Sequence, residues 1–202
     1  MATPDHRLLA ARRAVNEALT DLSEVVIAVS GGADSLALAA CVAHASRRSD
    51  LVARAVIVDH QLQGSSADVA ARAAETVRAL GLSAIVVRVD VGTQGGLEAA
   101  ARSARLAALQ DVAGPGVPIM LAHTQDDQAE TVLLRLLRGA GVAGLAAMRT
   151  TFERGEVTFV RPWLDLSRAD ILAAATEYSR ETGWQPVIDP SNLDPRYTRA
   201  AV

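Results

Sequence analysis

The sequence contains no lysine, so each of its 20 basic residues is an arginine. This absence excludes a Walker-type phosphate loop anywhere in the chain, because that loop requires a lysine. Aromatic residues are scarce, at 3%, within a composition that is 50% hydrophobic and rich in alanine and valine. Such a composition favours alanine-rich helices packed on valine- and isoleucine-rich strands. The formal net charge of −3 argues against a protein that binds nucleic acid by broad electrostatic attraction alone.

Cysteine is represented by Cys41 alone, which excludes an intrachain disulfide framework and a Cys-x-x-Cys metal or redox pair. No opening segment combines basic residues, an apolar core and a cleavage site, and no apolar run reaches the length of a membrane span. We therefore expect a soluble, cytoplasmic protein with no membrane association. A chain of 202 residues is long enough for one well-buried domain, which we expect to span 1–202.

Strand-like apolar runs alternate with helix-like patterns along most of the chain. Strands are predicted at Val25–Val29, Ala55–Val58, Ala84–Val89, Ile119–Ala122 and Glu156–Val160. Helices are predicted at 6–20, 35–48, 66–80, 96–112, 127–138 and 167–180, followed by a loop-rich tail at about 183–202. Because the strand runs are apolar on both faces, the alternation predicts an α/β fold. We expect an open, mainly parallel five-stranded sheet with helices on both faces.

The first predicted strand runs directly into a glycine-containing turn, which is followed by a helix. The turn reads Ser30-Gly31-Gly32-Ala33-Asp34-Ser35. Adjacent glycines allow a ligand to approach the backbone closely, and free N–H groups at a helix start favour an anion. Asp34 would repel a bare phosphate but suits a phosphate that carries a divalent cation. We interpret the turn as a pyrophosphate cradle with its own metal ligand; an ordinary capped strand-to-helix turn is the alternative.

Polar residues follow three further predicted strands: Asp59-His60, Asp90 and His123. Ligands of open parallel sheets bind beyond the carboxyl ends of the strands, so we expect these residues to converge with the glycine-containing turn. Asp59-His60 suits a strand end that faces adenine and ribose, and it suits an ordinary turn equally well.

A group of carboxylates follows His123 at the start of a predicted helix. Helical spacing places Asp126, Asp127 and Glu130 around one face of its first turn. An oxygen-rich set of this kind suits Mg²⁺ or a substrate ammonium better than zinc. The alternative is that the carboxylates only interact favourably with the helix dipole.

Arginines are grouped on the helices and near the later strands. Glu98, Arg102 and Arg105 recur at helical spacing, which is typical of an exposed ion pair and equally of a fork for phosphate or an RNA backbone. Further arginines are interpreted as surface residues that contact an anionic substrate only if they line the same cleft: Arg135, Arg138, Arg161 and Arg168.

Together, these motifs resemble the PP-loop ATP pyrophosphatase family, and within it the ligases that form lysidine in an isoleucine tRNA. The resemblance covers about residues 22–199. Besides the motifs above, it includes Leu136–Gly139, Gly141, Gly144-Leu145, Arg161-Pro162, Asp189, Ser191-Asn192 and Asp194.

The resemblance implies ATP and Mg²⁺ as cofactors and an isoleucine tRNA and L-lysine as partners. Enzymes of this kind adenylate the C2 carbonyl oxygen of the wobble cytidine, and lysine then displaces AMP. The implied ATP-binding residues are Ser30, Gly31, Gly32, Ala33, Asp34, Ser35, Asp59, His60 and His123. The implied catalytic residues are Asp34, Asp127, Glu130, Arg102 and Arg105, with Asp34 and Asp127 as metal ligands and Asp127 and Glu130 as candidates for binding lysine.

Two positions depart from the family pattern, and we expect neither to touch the chemistry. Thr124 stands where a second histidine is frequent, and Gln63 stands where an arginine is expected. Relatives continue beyond the last motif into tRNA-binding domains, which we expect this chain to lack, and a homodimer is compatible with the resemblance.

Three other functions fit parts of the pattern. A tRNA thiolase would use paired cysteines or an iron–sulfur cluster, and Cys41 alone supplies neither. An amidotransferase-type synthetase would carry a glutaminase domain or partner. A non-enzymatic nucleotide-binding domain of the universal-stress type would not need the carboxylates at 126–130.

Overall fold

The protein forms alternating strands and helices in the order that the sequence predicts. The structure is a computed structural model that describes residues 5–61, 64, 66–92, 96–139 and 147–182. The helices are α1 (His6–Ala18), α2 (Ala33–Ser46), α3 (Ser66–Ala79), α4 (Leu97–Ala113), α5 (Gln125–Leu137) and α6 (Arg168–Thr182). The strands are β1 (Glu24–Val29), β2 (Val52–Asp59), β3 (Ser83–Arg88), β4 (Ile119–Met120), β5 (Thr151–Arg154) and β6 (Val157–Val160).

The strands form one sheet in the order β3-β2-β1-β4-β6-β5. All neighbours are parallel except β5 and β6, which are antiparallel. The predicted mainly parallel α/β fold is therefore confirmed, but the predicted number of five strands was wrong because β5 makes a sixth. Residues along β5 alternate between exposed and half-buried, and the strand contains no apolar run. Gly155, at φ +58°, turns the chain from β5 into β6. An edge strand of this kind lacks the pattern of a buried strand.

Helices cover both faces of the sheet, as the buried side chains show. Val25, Ile27 and Val29 of β1 belong to a core that includes buried residues of α1, α2, α3 and α6. Val26 points the other way, into a second core with Leu106 and Leu109 of α4. This alternation along β1 is the period-two pattern of a strand buried on both faces. β1 therefore lies at the centre of the molecule.

Helix α2 is buried on every side rather than along one stripe. Each residue from Ser35 to Ala43 is buried, because the helix lies against β1 and β2 and is also covered by α1, α3 and α6. Small alanine side chains allow these elements to approach closely. Cys41 belongs to this segment, and burial raises the pKa of its thiol to about 12.

The observed elements differ from the predicted ones mainly at their ends. β4 contains two residues where a run through Ala122 was predicted, and the chain leaves the ladder after the N–H of Leu121 donates to the carbonyl of Val160 at 2.8 Å. The predicted tail from Gly183 lies outside the described residues. Within the described ranges, no helix combines the length and the apolar character needed to cross a membrane.

The strand order reverses between β1 and β4. From β1 the chain continues to β2 and then β3 on one side. It then returns to β4 on the other side of β1, and β5 and β6 follow, with β6 beside β4 and β5 at the edge. The loops that leave β1 and β4 at their carboxyl ends therefore diverge in opposite directions and open a crevice. In open α/β sheets such a switch point is the usual place of a ligand site.

Candidate functional site

The turn after β1 is closed by the hydroxyl of Ser35. This hydroxyl donates to the carbonyl of Gly32 at 2.9 Å and accepts the N–H of Ser30 at 3.1 Å. The hydroxyl of Ser30 lies 3.2 Å from it, and the N–H of Gly32 donates to Ser30 Oγ at 3.4 Å. Ser35 is buried, whereas Ser30 is exposed. Ser35 thus shapes the turn, and Ser30 is the serine that faces solvent.

The two glycines of the turn have different roles. Gly31 has a φ of +89°, and a Cβ there would lie 3.4 Å from Ala73 Cβ and 3.5 Å from Val69 Cγ1 on α3. Gly32 has an ordinary φ of −70° and precedes Ala33, the first residue of α2. A Cβ on Gly32 would meet only Ser30 Oγ, at 3.5 Å. Gly31 is therefore required by the backbone, whereas Gly32 keeps the start of α2 open to a ligand.

Two carboxylates from opposite sides of the switch point share one guanidinium. Arg168 Nε lies 3.2 Å from Asp34 Oδ2, and Arg168 Nη2 lies 3.2 Å from Asp127 Oδ1. Asp34 belongs to the first turn of α2, Asp127 to the first turn of α5 and Arg168 to the start of α6. The predicted pairing of Asp34 with Asp127 thus exists around a cation that the protein supplies itself.

The two carboxylates differ in how well they are hydrogen-bonded. Burial raises the pKa of Asp127, but hydrogen bonds from Thr124 and the charge of Arg168 outweigh it, so that this pKa is lowered. Its Oδ2 accepts the N–H of Thr124 at 2.8 Å and the hydroxyl of Thr124 at 2.9 Å. Burial raises the pKa of Asp34 in spite of Arg168, and Asp34 Oδ1 is buried with no hydrogen-bond partner among the described residues. Asp34 therefore keeps an oxygen available to a ligand.

The donor set fits a divalent cation that arrives with a phosphate ligand. Asp34 and Asp127 offer two carboxylates around one positive charge, and one oxygen of Asp34 is unused. Within the described residues, no group of three or more His, Cys, Asp or Glu side chains is placed to hold a metal ion. Mg²⁺ is commonly held by one or two carboxylates together with substrate phosphates. The two residues predicted as metal ligands are therefore suited to hold Mg²⁺ together with the phosphates of a nucleotide.

The other predicted carboxylates on α5 are placed differently. Asp126 is exposed, and its Oδ2 accepts the backbone N–H of Arg168 at 2.7 Å. Asp126 thus anchors the start of α6 instead of sharing the buried position of Asp127. Glu130 is half-buried one turn further along α5.

Thr124 was expected to stand apart from the chemistry, but the structure places it in contact with a candidate site residue. Its backbone and side chain supply both hydrogen bonds to Asp127 Oδ2, because a residue at the N-cap of a helix faces the third residue of that helix. Thr124 is fully buried. Its hydroxyl therefore holds a candidate metal ligand in place.

On the other side of the site, His123 and Arg161 form a buried pair. Arg161 Nε donates to His123 Nδ1 at 3.0 Å, so the neutral imidazole carries its proton on Nε2. Burial, together with the charges of Arg105 and Arg161, lowers the pKa of His123 to about 3. His123 is therefore a neutral donor at physiological pH, with its Nε2–H available to a ligand.

Arg161 is itself fixed by three contacts. Besides its bond to His123, it donates through Nη1 to the carbonyl of Arg149 and lies over the ring of Phe152, 4.3 Å from the centroid. Burial and the charge of Arg102 lower the pKa of Arg161 to about 10, so its guanidinium stays charged at neutral pH.

The remaining predicted residues surround this pair or lie close to it. Arg102 and Arg105 are on α4, and the pKa of His123 responds to both charges. His60 follows β2, and burial and Arg105 lower its pKa, while its Nδ1 is buried without a hydrogen-bond partner in the described part of the chain. Asp59 is buried, and its side chain accepts the N–H of Gln61 at 2.9 Å. This hydrogen bond is typical of an ordinary turn, the alternative interpretation of Asp59-His60.

Some predicted positions do not join the site. Asp90 is exposed after β3, and β2 separates β3 from β1. The side chain of Glu98, Gln63, residues 140–146 and the motif at 189–194 lie outside the described residues.

Two site residues, Arg161 and Arg168, were predicted from the sequence only as conditional contacts of an anionic substrate, although each carries a local signal of a site residue. Arg161 directly follows a predicted strand, and strand ends are where polar site residues gather. Arg168 begins a helix, where the helix dipole disfavours a positive charge. An arginine at such a position calls for carboxylate partners, which here come from α2 and α5.

Comparison with known sequences identifies a family and a group of relatives. The model of the PP-loop domain family matches residues 7–202. The tRNA(Ile)-lysidine synthase of Salinispora tropica is 50% identical over 200 residues, which cover 96% of this chain and 59% of that protein. The tRNA(Ile)-lysidine synthase of Thermobifida fusca is 47% identical over 208 residues, which cover 100% of this chain and 62% of that protein. The chain thus spans about three fifths of the length of these curated relatives.

Among solved structures, the chain resembles the U34-tRNA thiolase NcsA from Methanococcus maripaludis, determined with its iron–sulfur cluster. The TM-score is 0.73 at 18% sequence identity, and the match covers 97% of this chain and 71% of that one. Similarity at this identity shows the fold alone.

The glycine turn yields a paired prediction. Gly31→Ala should lower the free energy of unfolding by about 1–2 kcal/mol, because an L-residue is strained at positive φ. Gly32→Ala should leave the free energy of unfolding within about 0.5 kcal/mol of the wild type but weaken ATP binding at least about tenfold, because its methyl group enters the cradle. Urea denaturation and calorimetric titration with ATP measure the two effects. Wild-type ATP affinity in Gly32→Ala would contradict the assignment of the cradle.

A second prediction concerns His123 and acid. Its folded pKa of about 3 lies below the unfolded value of about 6.5, so the unfolded chain binds the proton first and stability is lost as pH falls below about 6.5. Between pH 7 and pH 5 the wild type should lose about 2 kcal/mol that His123→Gln does not lose. Urea denaturation at each pH measures the difference. Parallel curves for the two proteins would show that His123 titrates normally in the folded state.

Proposed function

Because this chain belongs to the PP-loop family, we propose that it is the ATP-dependent catalytic domain of a tRNA(Ile)-lysidine synthase. Membership of the family implies that it binds ATP. The observation that carries the finer proposal is the identity of 47–50% to lysidine synthases over nearly the whole chain. The proposed reaction joins L-lysine to the wobble cytidine of an isoleucine tRNA and releases AMP and pyrophosphate, in the cytoplasm, where tRNA is modified.

The reaction has two displacement steps. First, the C2 carbonyl oxygen of the cytidine attacks the α-phosphorus of ATP, and the bond to pyrophosphate breaks. The lysine amine, after losing a proton, then attacks C2, and AMP leaves with the former carbonyl oxygen. Adenylation is needed because a carbonyl oxygen is a poor leaving group and AMP is a good one. The protein must therefore stabilise negative charge on pyrophosphate and bring a cationic amino acid close to it.

The turn after β1 is suited to the departing pyrophosphate. The start of α2 presents backbone N–H groups beside Gly32, where among the described residues a Cβ would meet Ser30 Oγ alone, and Ser30 adds an exposed hydroxyl. Asp34 and Asp127 would hold Mg²⁺, which when bound would neutralise charge on the phosphates. This arrangement favours transfer at the α-phosphorus, with pyrophosphate as leaving group.

The carboxylates on α5 are suited to the amino acid as well. Asp127 and the half-buried Glu130 lie one turn apart, so that an ammonium group could bind between them. We assign Glu130 to the lysine ammonium, and Asp127 to Mg²⁺ and to the lysine ammonium at different stages. The observation that supports Asp127 in both roles is its pairing with a cation, since its Oδ1 lies 3.2 Å from Arg168 Nη2.

The neutral histidine and its arginines are suited to the anionic side of the reaction. His123 keeps Nε2–H as a donor, and Arg161 fixes the orientation of the ring. Arg102 and Arg105 stand on the same side of the site. We propose that these groups contact the adenylate phosphate and the tRNA backbone, since guanidinium groups match phosphate geometry.

The structural similarity to a tRNA thiolase does not favour thiolation. Cys41, the cysteine of the given sequence, is buried in α2, and burial raises the pKa of its thiol to about 12. A thiol in this state cannot serve as a sulfur carrier or cluster ligand at the site.

The test measures pyrophosphate release by the protein that the complete reading frame encodes. We expect release that requires ATP, an isoleucine tRNA with a wobble cytidine, and lysine for continued turnover. Asp34→Asn and Asp127→Asn should each lower the rate at least about 100-fold, because charge on the leaving group loses its stabilisation. Asp111→Asn, an exposed carboxylate on α4, is the matched control and should retain the wild-type rate.

The acceptor distinguishes the alternatives. The same tRNA with uridine at the wobble position should support no release. Pyrophosphate release with the uridine tRNA in the presence of a sulfur donor would favour thiolation. If neither tRNA supported pyrophosphate release, a role as a tRNA-modifying ligase would be contradicted.

A further inference from the structure

Arg168 stands where an exchangeable cation would stand. Its guanidinium lies between Asp34 and Asp127, 3.2 Å from an oxygen of each. The carboxylates are enclosed, with exposed side-chain fractions of 22% and 7%, whereas the Arg168 side chain is 43% exposed. The cation is thus the most exposed part of the cluster.

The charge balance shows why a cation is needed at this position. Arg168 Nε lies 3.2 Å from Asp34 Oδ2, and Arg168 Nη2 lies 3.2 Å from Asp127 Oδ1. Two carboxylates that share one position repel each other unless a positive charge lies between them. Arg168 supplies that charge in this structure.

A structural arginine elsewhere in the protein provides a contrast. Arg54 pairs with Glu24 and also donates to the carbonyl of Ala113 at 3.0 Å, at the end of α4. Its guanidinium is thereby fixed to the backbone. Within the described residues, the hydrogen bonds of the Arg168 guanidinium go to the two carboxylates alone, and its helix start is held independently by Asp126. The side chain can therefore move while its backbone stays in place.

We propose that Arg168 is an exchange residue that holds Asp34 and Asp127 in the ligand-free protein and moves to the nucleotide phosphates when a divalent cation takes the carboxylates. Asp34 belongs to the turn proposed to bind phosphate, so the guanidinium of Arg168 already lies beside that turn. A guanidinium is well suited to both states, because it forms forked hydrogen bonds with carboxylate and with phosphate. The inference rests on the proposed binding of ATP at this turn, but not on lysine or tRNA.

The exchange makes metal and nucleotide binding cooperative. Metal that binds alone must displace Arg168 from its carboxylates, which weakens binding. Bound nucleotide attracts Arg168 away and so clears the carboxylates for metal. By linkage, each ligand raises the affinity for the other by the same factor.

The test measures Mn²⁺ affinity by the electron paramagnetic resonance of the free ion, with and without α,β-methylene ATP, which cannot release pyrophosphate. In Arg168→Met, Mn²⁺ alone should bind at least about tenfold more tightly than in the wild type. The ratio of Mn²⁺ affinity with nucleotide to that without it should fall at least about fivefold. Arg180→Met, which removes an exposed arginine paired with Glu177 on the same helix, should change neither quantity.

Each other outcome overturns the proposal. Unchanged or weaker binding of Mn²⁺ alone would mean that Arg168 does not compete for the carboxylates. Tighter binding with an unchanged ratio would mean that Arg168 blocks the site without moving to the nucleotide. Arg168→Lys keeps the charge and should hold Mn²⁺ affinity within about threefold of the wild type, which separates competition from loss of fold. Since neither tRNA nor lysine is present, failure of the ligase proposal would leave these results unaffected.

Discussion

The deep burial of β1 and of the central part of α2 is the constraint on which the rest of the structure depends. β1 contributes side chains to the cores on both faces of the sheet, and α2 is buried continuously from Ser35 to Ala43. An unpaired polar group in either segment would be costly. Polar chemistry is therefore confined to the turn that joins the two elements and to the neighbouring strand ends. The site lies at the switch point because that is where a buried strand can present polar groups to a ligand.

The site is divided into two regions of opposite character. On one side, carboxylates of α2 and α5 are balanced by Arg168 from α6. On the other, burial and the charges of Arg105, Arg161 and Arg102 lower the pKa of His123, so that its imidazole is neutral. Negative and positive side chains are thus separated within one site, in a chain whose formal net charge is only −3.

Much of the architecture could be predicted from the sequence, because buried parallel strands and alanine-rich helices leave clear patterns. The turn at Ser30–Ser35 and its convergence with the carboxylates at 126–130 could be predicted from strand ends and helical spacing, whereas the pairing of Asp34 with Asp127 came from the family resemblance. Arg168 and Arg161 could not be assigned by such local patterns, since their partners are 134 and 38 positions away along the chain. Thr124 was missed for a different reason: its contact with Asp127 is local, but it was judged by comparison with the family instead of by its N-cap position. Strand β5 was missed because an exposed edge needs no apolar run.

The shortness of β4 has a consequence for how the sheet is held together. β1 pairs with β2, and β2 with β3, through six residue pairs each, whereas β4 joins β1 and β6 through two pairs on each side. β4 is thus joined to its neighbours by the shortest ladders of the described sheet. The crevice at the switch point therefore opens beside the strand that has the fewest backbone pairs to hold it.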